Sequence, residues 1–236
     1  MGASSVSNIK NKALIGFFLL TVALVSISIA VISTLPAKPP LINGIFIPDA
    51  LALNEFSIID HHNAPFTNKQ LEGKWHLLSY GYTNCPDVCP TVLSVLSAFS
   101  NKLKQQQQYA DVNILFYSVD HQRDTANRLT EYLSYFNEDF IGLTYIDTML
   151  DTAMPFEKSL GMVSILKAVQ SKQVDNDTNN KPFTSYTVSH GFTLYLLNPQ
   201  GDLQAVFRPM ENKDGTLFFT EQQILDDYLA IRNYLG

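Results

Sequence analysis

Apolar residues divide the chain into one long apolar segment near the N-terminus and a remainder in which short apolar runs alternate with amphipathic stretches. Residues 13–35 form 23 consecutive positions without a charged side chain. At about 1.5 Å of rise per helical residue, this segment is long enough to cross the roughly 30 Å hydrocarbon core of a bilayer. It predicts a transmembrane helix rather than a cleaved signal peptide, whose apolar part is only about 7 to 15 residues long.

Charged residues and prolines on either side of this segment predict its orientation and the character of the next segment. Lys10 and Lys12 precede it and no acidic residue does, so residues 1–12 are expected to stay in the cytosol while the rest is exported. A mitochondrial transit peptide would be rich in Arg, so a bacterial inner membrane with a periplasmic domain is favoured over the mitochondrial inner membrane. Four prolines within residues 36–52 predict an extended spacer before a single domain at residues 53–236.

The first half of this domain has the pattern of a βαβ unit. Residues 75–82 and 113–120 are mostly apolar and rich in aromatic or branched side chains, which predicts two buried strands. Between them Pro90 suits the first turn of a helix, and the apolar face of that helix consists of Val92, Leu96, Phe99 and Leu103. A crossover of this kind makes the two strands parallel.

The rest of the domain predicts further helices and strands and then a hairpin. A helix is predicted at residues 124–136, a strand at residues 141–145 and a second helix at residues 151–160. Asp124 or Thr125 is expected to cap the first of these helices. A polar loop is predicted at residues 171–181 and a hairpin at residues 192–198 and 203–207. A last helix starts after Thr220, with Gln223 completing a capping box and Leu235 on the buried face. These elements predict a thioredoxin-like α/β sandwich, in which helices flank a central mixed sheet.

Composition excludes one class of function and makes the two cysteines informative. The net charge of −6 and the pI near 5.3 argue against nucleic-acid binding, which needs a basic face. Only Cys85 and Cys89 occur, and a disulfide across so short a loop would remove little conformational entropy from the unfolded chain. A redox-active or metal-binding pair is therefore favoured over a structural disulfide.

The two cysteines fall where the first predicted strand ends and the first helix begins, which is the usual edge for sites in open α/β sheets. Pro90 disfavours helical backbone at Cys89, so both thiols are expected on a loop above the helix N-terminus. The helix dipole favours thiolate there, and a thiolate can act as a nucleophile or as a soft ligand for Cu(I) or zinc. The C-x3-C spacing, unlike the C-x2-C of disulfide-exchanging thioredoxins, allows both sulfurs to face a shared ion.

His190 is the candidate third ligand. It precedes the predicted strand at residues 192–198, which in this fold can lie beside the first βα turn. Two thiolates and one imidazole suit three-coordinate Cu(I) and also tolerate Cu(II). From the local sequence alone, a strand-end histidine bonded to a backbone carbonyl is the alternative.

Five ordered blocks of sequence carry a resemblance to a known family; they comprise residues 71–75, 81–91, 119–125, 140–144 and 190–201. Together they resemble the Sco/SenC family, copper proteins of thioredoxin-like fold that help to build the CuA centre of cytochrome c oxidase. The resemblance implies that Cys85, Cys89 and His190 are copper ligands. It also implies a metallochaperone, rather than an enzyme in the ordinary sense, whose partner is the oxidase subunit carrying the CuA site. A periplasmic copper donor or a thiol reductant would be a second partner.

The chain departs from the family pattern at two places. Ser189 stands where the family usually has Asp before the ligand histidine, and His121 with Gln122 stand where it usually has Pro-Glu. The first difference removes a negative charge from beside the expected ligand. Copper affinity and redox preference are therefore expected to differ from those of the family.

The remaining candidate residues are interpreted mainly as structural. Surface or core roles are favoured over ligation for His61, His62 and His76, and core packing is favoured over thioether ligation for Met149, Met154 and Met162. Asp87 either orders the loop between the cysteines or is a solvated turn residue. Asp120 and Asp124 could form a small acidic cluster, although a helix cap is a sufficient role for Asp124.

A thiol-disulfide oxidoreductase is the alternative function. One cysteine would attack and the other would resolve a mixed disulfide with an oxidase subunit or another exported protein. Thioredoxins place a cis-proline before the strand that faces the active site, whereas no proline occurs here between Pro182 and Pro199. A peroxidase of peroxiredoxin type is the alternative with the least support, because Thr83 and Cys85 only loosely match its Thr-x-x-Cys arrangement.

Overall fold

The computed structural model describes residue 14 and residues 16–28, 38–107, 109–168 and 186–236. The chain divides into two compact units, Met1–Lys38 and Pro39–Gly236. In the first unit, residue 14 and residues 16–28 are helical; the predicted tail and the other residues of the predicted anchor lie outside the described residues, as does the predicted loop at residues 171–181. Within the described part of the chain, no helix combines the length and the apolar character needed to traverse a bilayer.

The second unit contains, in its described residues, twelve strands and four α-helices. The strands are β1 (Gly44–Leu51), β2 (Ser57–Asp60), β3 (Pro65–Thr67), β4 (Trp75–Gly81), β5 (Val112–Ser118), β6 (Ile141–Thr144), β7 (Ser164–Ala168), β8 (Tyr186–His190), β9 (Leu194–Leu197), β10 (Leu203–Phe207), β11 (Met210–Glu211) and β12 (Leu217–Phe218). The helices are α1 (Val88–Gln106), α2 (Ala126–Ser134), α3 (Leu150–Leu160) and α4 (Glu221–Leu235), with 3-10 turns at Asn68–Leu71 and Asp147–Met149.

Eight strands form a central sheet in the order β1-β10-β9-β4-β5-β6-β2-β3. β4, β5 and β6 are parallel, so their carboxyl ends reach the same edge of the sheet, whereas β9 pairs antiparallel with β4 and β10 pairs antiparallel with β9. β7 and β8 form a separate two-stranded sheet, and β11 and β12 form another. The mixed sheet with flanking helices confirms the predicted α/β sandwich.

Two hydrophobic cores lie on opposite faces of the central sheet, because successive side chains of a strand point to opposite faces. Leu77 of β4 packs in the first core with residues of α1, α2 and α4, whereas Leu78 packs in the second core with residues of α3. The predicted apolar face of α1 is buried. Met149, Met154 and Met162 pack in or against the second core, as expected of core residues.

The predicted boundary between spacer and domain, at residue 53, is wrong because β1 belongs to the central sheet. Residues 44–51, which were expected in the spacer, pair antiparallel with β10 at the edge of the central sheet. The ring of Phe46 packs edge-on against Tyr234 of α4, with 5.3 Å between ring centroids. The domain therefore begins before residue 44. The strand contains Pro48 and is only half-buried, so its sequence lacks the strict alternation of a strand with one face in a core.

The structure selects one of the two predicted caps of α2 and corrects two predicted details of α4. Thr125, and not Asp124, caps α2, because the Thr125 hydroxyl accepts a hydrogen bond from the third N–H of that helix. Thr220 caps α4 by accepting from the Gln223 N–H, but the Gln223 side chain donates to a carbonyl outside the helix instead of completing a capping box. Leu235, the last residue of α4, is exposed rather than buried.

Candidate metal centre

The two cysteines lie at the carboxyl edge of the central sheet, between β4 and α1. Cys85 is half-buried on the connecting loop, whereas Cys89 is buried and is the second residue of α1. The expectation that both thiols lie on a loop is therefore wrong for Cys89. Pro90 is the third residue of the helix, where a backbone N–H would have no intrahelical partner, so the helix can begin ahead of it.

Cys85, Cys89 and His190 are brought together in the structure. The two Sγ atoms and one imidazole nitrogen all lie within 4.8 Å of one another. Sγ of Cys89 is 3.5 Å from Nε2 of His190, and the backbone N–H of Cys89 donates a hydrogen bond to Sγ of Cys85 at 3.4 Å. The three donor atoms are therefore close enough to bind one ion together.

His190 reaches the cysteines from the end of β8, directly before β9, which lies next to β4 in the central sheet. Nδ1 of its imidazole is 2.7 Å from the Gly191 carbonyl oxygen. Because a carbonyl can only accept, we assign the proton to Nδ1, which leaves the Nε2 lone pair directed toward Cys89. The carbonyl-bonded histidine and the ligand histidine, which the sequence left as alternatives, are thus compatible in one side chain. The ring packs against Tyr80 and Tyr82, with centroid distances of 5.6 and 5.8 Å.

The two thiols have opposite pKa shifts. The Cys89 thiol and the backbone N–H groups of Cys89 and Asp87 direct protons toward the sulfur of Cys85, and they lower the pKa of Cys85 to about 3 although partial burial opposes the shift. The hydrogen bond to Cys85, together with burial, raises the pKa of Cys89 well above its usual range. The directions of the two shifts favour the thiolate at Cys85 and the thiol at Cys89, and Cys89 must lose its proton before it binds a metal as a thiolate.

A groove of about 540 Å³ opens beside the cluster. Its walls come mainly from α1, from the segment after β8 and from β12, and they are largely apolar; they include Val88, Val95, Phe192, Leu217 and Phe218. Cys85 and His190 line this groove, whereas Cys89 does not. Two of the three candidate ligands can therefore be reached from solvent while the third is covered by the protein.

Asp124 is a buried carboxylate below the cysteine loop, a role that the predicted helix cap does not include. It accepts hydrogen bonds from the Thr83 N–H at 2.8 Å, from the Thr83 hydroxyl at 2.6 Å and from the Ser118 hydroxyl at 2.6 Å. Desolvation raises the pKa of this carboxyl, although the hydrogen bonds oppose the shift. These contacts connect the end of β5 to the loop that carries Cys85. The only sign of this role in the sequence was the position of Asp124 within one of the family-like blocks.

The other histidines and Asp87 contribute no ligand atom to this cluster. His76 is buried and its Nε2 lies 3.1 Å from a backbone carbonyl, while Nδ1 of His61 accepts a hydrogen bond from a backbone N–H of β6. His62 is exposed. Asp87 is exposed and caps α1 without a hydrogen bond from its side chain, which favours the interpretation as a solvated turn residue.

The two departures from the family pattern have different surroundings. His121 stacks on Tyr145, with 4.1 Å between ring centroids, and its Nε2 lies 2.9 Å from a carboxylate oxygen of Asp147. Ser189 is exposed at the position before His190. The expected acidic cluster nearby does not consist of two carboxylates alone, because Asp120 forms an ion pair with Arg123.

A family comparison identifies the chain. The model of the SCO1/SenC family matches residues 48–221, about three quarters of the sequence. The chain belongs to the SCO1/SenC family. A candidate copper-binding protein of Stutzerimonas stutzeri is 32% identical to this SCO1/SenC protein over 185 residues, which cover 78% of this chain and 82% of that protein. The mitochondrial protein SCO2 of Saccharomyces cerevisiae is 31% identical over 171 residues, which cover 71% of this chain but only 51% of that protein.

Solved structures of the same family resemble this SCO1/SenC protein in fold. ScoI of Arabidopsis thaliana with copper bound matches with a TM-score of 0.59 and 28% identity, over 77% of this chain and 99% of that one. Yeast Sco1 with copper bound matches with a TM-score of 0.57 and 26% identity, over 78% of this chain and 89% of that one. These matches confirm the predicted family and the thioredoxin-like fold.

Proposed function

We propose that this SCO1/SenC protein is a copper metallochaperone, which binds copper with Cys85, Cys89 and His190 and delivers it to the CuA centre of cytochrome c oxidase during assembly. The observation that carries the proposal is the convergence of the three donor atoms within 4.8 Å of one another. The copper bound to two solved relatives supports copper as the metal. The proposed partner is the oxidase subunit that carries the CuA site.

The donor set is suited to copper in both oxidation states. Two thiolates are soft ligands for Cu(I), and the imidazole nitrogen is a third donor that also suits Cu(II). The carbonyl of Gly191 holds the Nδ1–H of His190, so Nε2 remains available as the ligand atom. Cys89 has to release its proton when the metal binds, so copper affinity is expected to fall as the pH is lowered.

The groove beside the site is suited to delivery by ligand exchange. Cys85 and His190 line it and Cys89 does not. Ligands of the partner can therefore replace Cys85 and His190 first, while Cys89 still holds the ion. Copper keeps its oxidation state in such an exchange, so the delivery step needs no oxidant or reductant.

The proposal includes an anchored, exported protein. Residues 13–35 would span a bacterial inner membrane, and residues 53–236 would lie in the periplasm within reach of the oxidase subunit. The uncharged apolar run and the two lysines before it support this orientation. A mitochondrial inner membrane is the alternative, and a periplasmic copper donor is a further partner in this proposal.

A thiol-disulfide oxidoreductase is the second candidate, because the half-buried Cys85, whose pKa is lowered, lies beside a second free cysteine. The Cys85 thiolate would attack a disulfide of the partner, which forms a mixed disulfide and releases one partner thiolate. Cys89, once deprotonated, would attack the Cys85 sulfur, form the Cys85–Cys89 disulfide and release the second partner thiolate. Two electrons pass to the partner, and an external thiol reductant must restore the pair.

Substitution of His190 distinguishes the two functions. His190→Ala should retain Cu(I) on two thiolates but bind Cu(II) on the order of 100-fold more weakly, because Cu(II) prefers the imidazole donor. In cells that contain only the variant, CuA assembly should fail at limiting copper and recover at excess copper. The measurements are Cu(I) and Cu(II) titrations, oxidase CuA content, and the redox state of Cys85 and Cys89. His62→Ala, at an exposed histidine outside the cluster, is the matched control.

Two outcomes would count against copper delivery. If Cys85→Ser or Cys89→Ser retained full Cu(I) affinity, the site would have to lie elsewhere. If His190→Ala supported normal CuA assembly at both copper levels, with normal thiol redox behaviour, the oxidoreductase would be the better explanation.

A further inference from the structure

Arg123 is held in a small polar cluster with Asp120 and Tyr186, which we call the Arg123 cluster. The guanidinium pairs with the buried carboxylate of Asp120, and the Tyr186 hydroxyl donates to the same carboxylate. Nη1 of Arg123 donates to the Tyr186 carbonyl at 3.3 Å, and Cζ lies 4.0 Å from the centroid of the Tyr186 ring. Arg123 is therefore in contact with both the backbone and the ring of Tyr186.

The Arg123 cluster lies between the two segments that carry the candidate ligands. Tyr186 begins β8 and His190 ends it. On the other side, Cζ of Arg123 lies 5.9 Å from the centroid of the Tyr82 ring, and the Tyr82 carbonyl accepts a hydrogen bond from the Cys85 N–H at 3.2 Å. The Tyr82 ring also packs edge-on against the His190 ring.

β8 is not part of the central sheet, so contacts such as those with Arg123 have a larger part in fixing its position. In the described residues, β8 pairs with β7 alone, whereas Cys89 lies in α1 and Cys85 lies on the short loop between β4 and α1. Val188 adds one apolar anchor, because it is buried in the second core. The cysteines therefore keep their positions through the main fold. His190 is held on its C-terminal side by β9, which pairs with β4, but on its N-terminal side its position depends on the contacts made by β8.

We propose that Arg123 is a positioning residue for the metal site, which holds β8 so that Nε2 of His190 stays within reach of a metal bound by the two cysteines. The inference rests on the proposed copper function. Arg123 does not itself contact the three donor atoms. Loss of its side chain should therefore weaken the imidazole contribution, which matters most for Cu(II), and spare the thiolate contribution, which dominates for Cu(I).

The test is a comparison of copper binding by the full chain, purified in detergent, with and without the Arg123 side chain. Arg123→Ala should bind Cu(II) on the order of tenfold more weakly, with an altered Cu(II) absorption and electron paramagnetic resonance spectrum, and should bind Cu(I) within about twofold of the natural protein. Arg123→Lys should not restore the spectrum, because a lysine ammonium cannot stack on a ring and form a forked ion pair at once. Tyr186→Phe, which removes only a hydroxyl, should give a smaller change in the same direction.

Arg232 provides a matched control. Its guanidinium also pairs with an aspartate, Asp111, and lies over aromatic rings, those of Trp75 and Tyr109, but it lies among residues that contribute nothing to the metal cluster. Arg232→Ala should lower thermal stability and leave the Cu(II) spectrum unchanged. An equal change of the spectrum in both arginine variants would overturn the proposal, because general loosening would then explain the effect.

Copper binding measured in a His190→Ala background distinguishes the positioning role of Arg123 from the proposed copper function. If Arg123 acts through His190, Arg123→Ala should cause no further loss of Cu(II) affinity in that background. Failure of the natural protein to bind copper would refute the copper function. A natural Cu(II) spectrum in Arg123→Ala, with His190→Ala strongly affected, would refute only the role of Arg123.

Discussion

Gly81 ends β4 at a point where the backbone passes next to the site. A Cβ built on Gly81 would overlap Sγ of Cys89 and would lie 3.3 Å from Cε2 of Phe116, a rigid core ring. Gly81→Ala should therefore displace the Cys89 sulfur. We expect Cu(I) affinity to fall about tenfold or more, since overpacking of this kind costs about 1–3 kcal/mol. Competition with a Cu(I) chelator measures the effect.

Gly142 offers a control for this substitution in another buried strand. A Cβ there would lie 2.8 Å from Cδ1 of Leu133 and 3.0 Å from Cβ of Leu129, so Gly142→Ala should also destabilise the domain. It should leave Cu(I) affinity unchanged, because none of these atoms belongs to the metal cluster. Equal losses of affinity in the two variants would show that the Gly81 effect is not specific to the site.

His76 couples the stability of the domain to pH. The imidazole is fully buried, its Nε2–H donates to the Leu71 carbonyl, and its Nδ1 has no hydrogen-bond partner in the described residues. Desolvation lowers the pKa of His76 from its ordinary value of 6.5 to about 4. Because the unfolded chain takes up a proton near pH 6.5 and the folded chain only near pH 4, the stabilisation is complete above pH 6.5 and is lost as the pH falls toward 4.

His76→Gln should therefore flatten this dependence. Between pH 7 and pH 4, the fall in the free energy of unfolding should be smaller than that of the natural protein by about 3 kcal/mol. Urea unfolding at the two pH values measures the difference, and His62→Gln, at an exposed histidine, should leave it unchanged. If His76→Gln had the same pH dependence of stability as the natural protein, the assignment of this dependence to His76 would be wrong.

At the scale of elements, β1 is the strand whose contribution can be tested most directly. It covers the edge of β10, and it brings Phe46 and Ile47 against the rest of the domain. A chain that begins at residue 53 should be less stable than one that begins at residue 39 by about 3 kcal/mol or more, because it exposes apolar side chains and an unpaired strand edge. Urea unfolding of the two chains tests this. Equal free energies of unfolding would show that β1 does not contribute to the stability of the domain.

At the scale of the whole molecule, the proposed anchor predicts where the protein is found in cells. The full chain should stay with membranes after an alkaline carbonate wash, because residues 13–35 contain no charged side chain that would oppose insertion. The same chain without residues 1–35, exported by an unrelated cleavable signal, should be recovered in the soluble periplasmic fraction. Recovery of the full-length protein in the soluble fraction, or a mature N-terminus near residue 38, would contradict the anchor.

Features that depend on neighbouring residues could be predicted from the amino-acid sequence alone. The period of the apolar positions gave the buried face of α1, the apolar runs gave β4 and β5, and the turn residues gave the hairpin of β9 and β10. The cysteines were assigned to the strand–helix junction for the same reason, since both elements are contiguous with them. The family-like blocks added His190, which no local pattern distinguishes from an ordinary strand-end histidine.

Features that depend on contacts between distant parts of the chain become visible only in the folded protein. The fold brings Nε2 of His190 to 3.5 Å from the sulfur of Cys89, which lies 101 positions earlier in the chain. It also orients the imidazole ring through the Gly191 carbonyl and buries Asp124 below Thr83. It also pairs β1 with β10 across more than 150 residues. Side-chain periodicity reports which face of an element is apolar, but not which element will cover that face or which polar atoms will meet there. Those partners are set by the packing of the completed sheet.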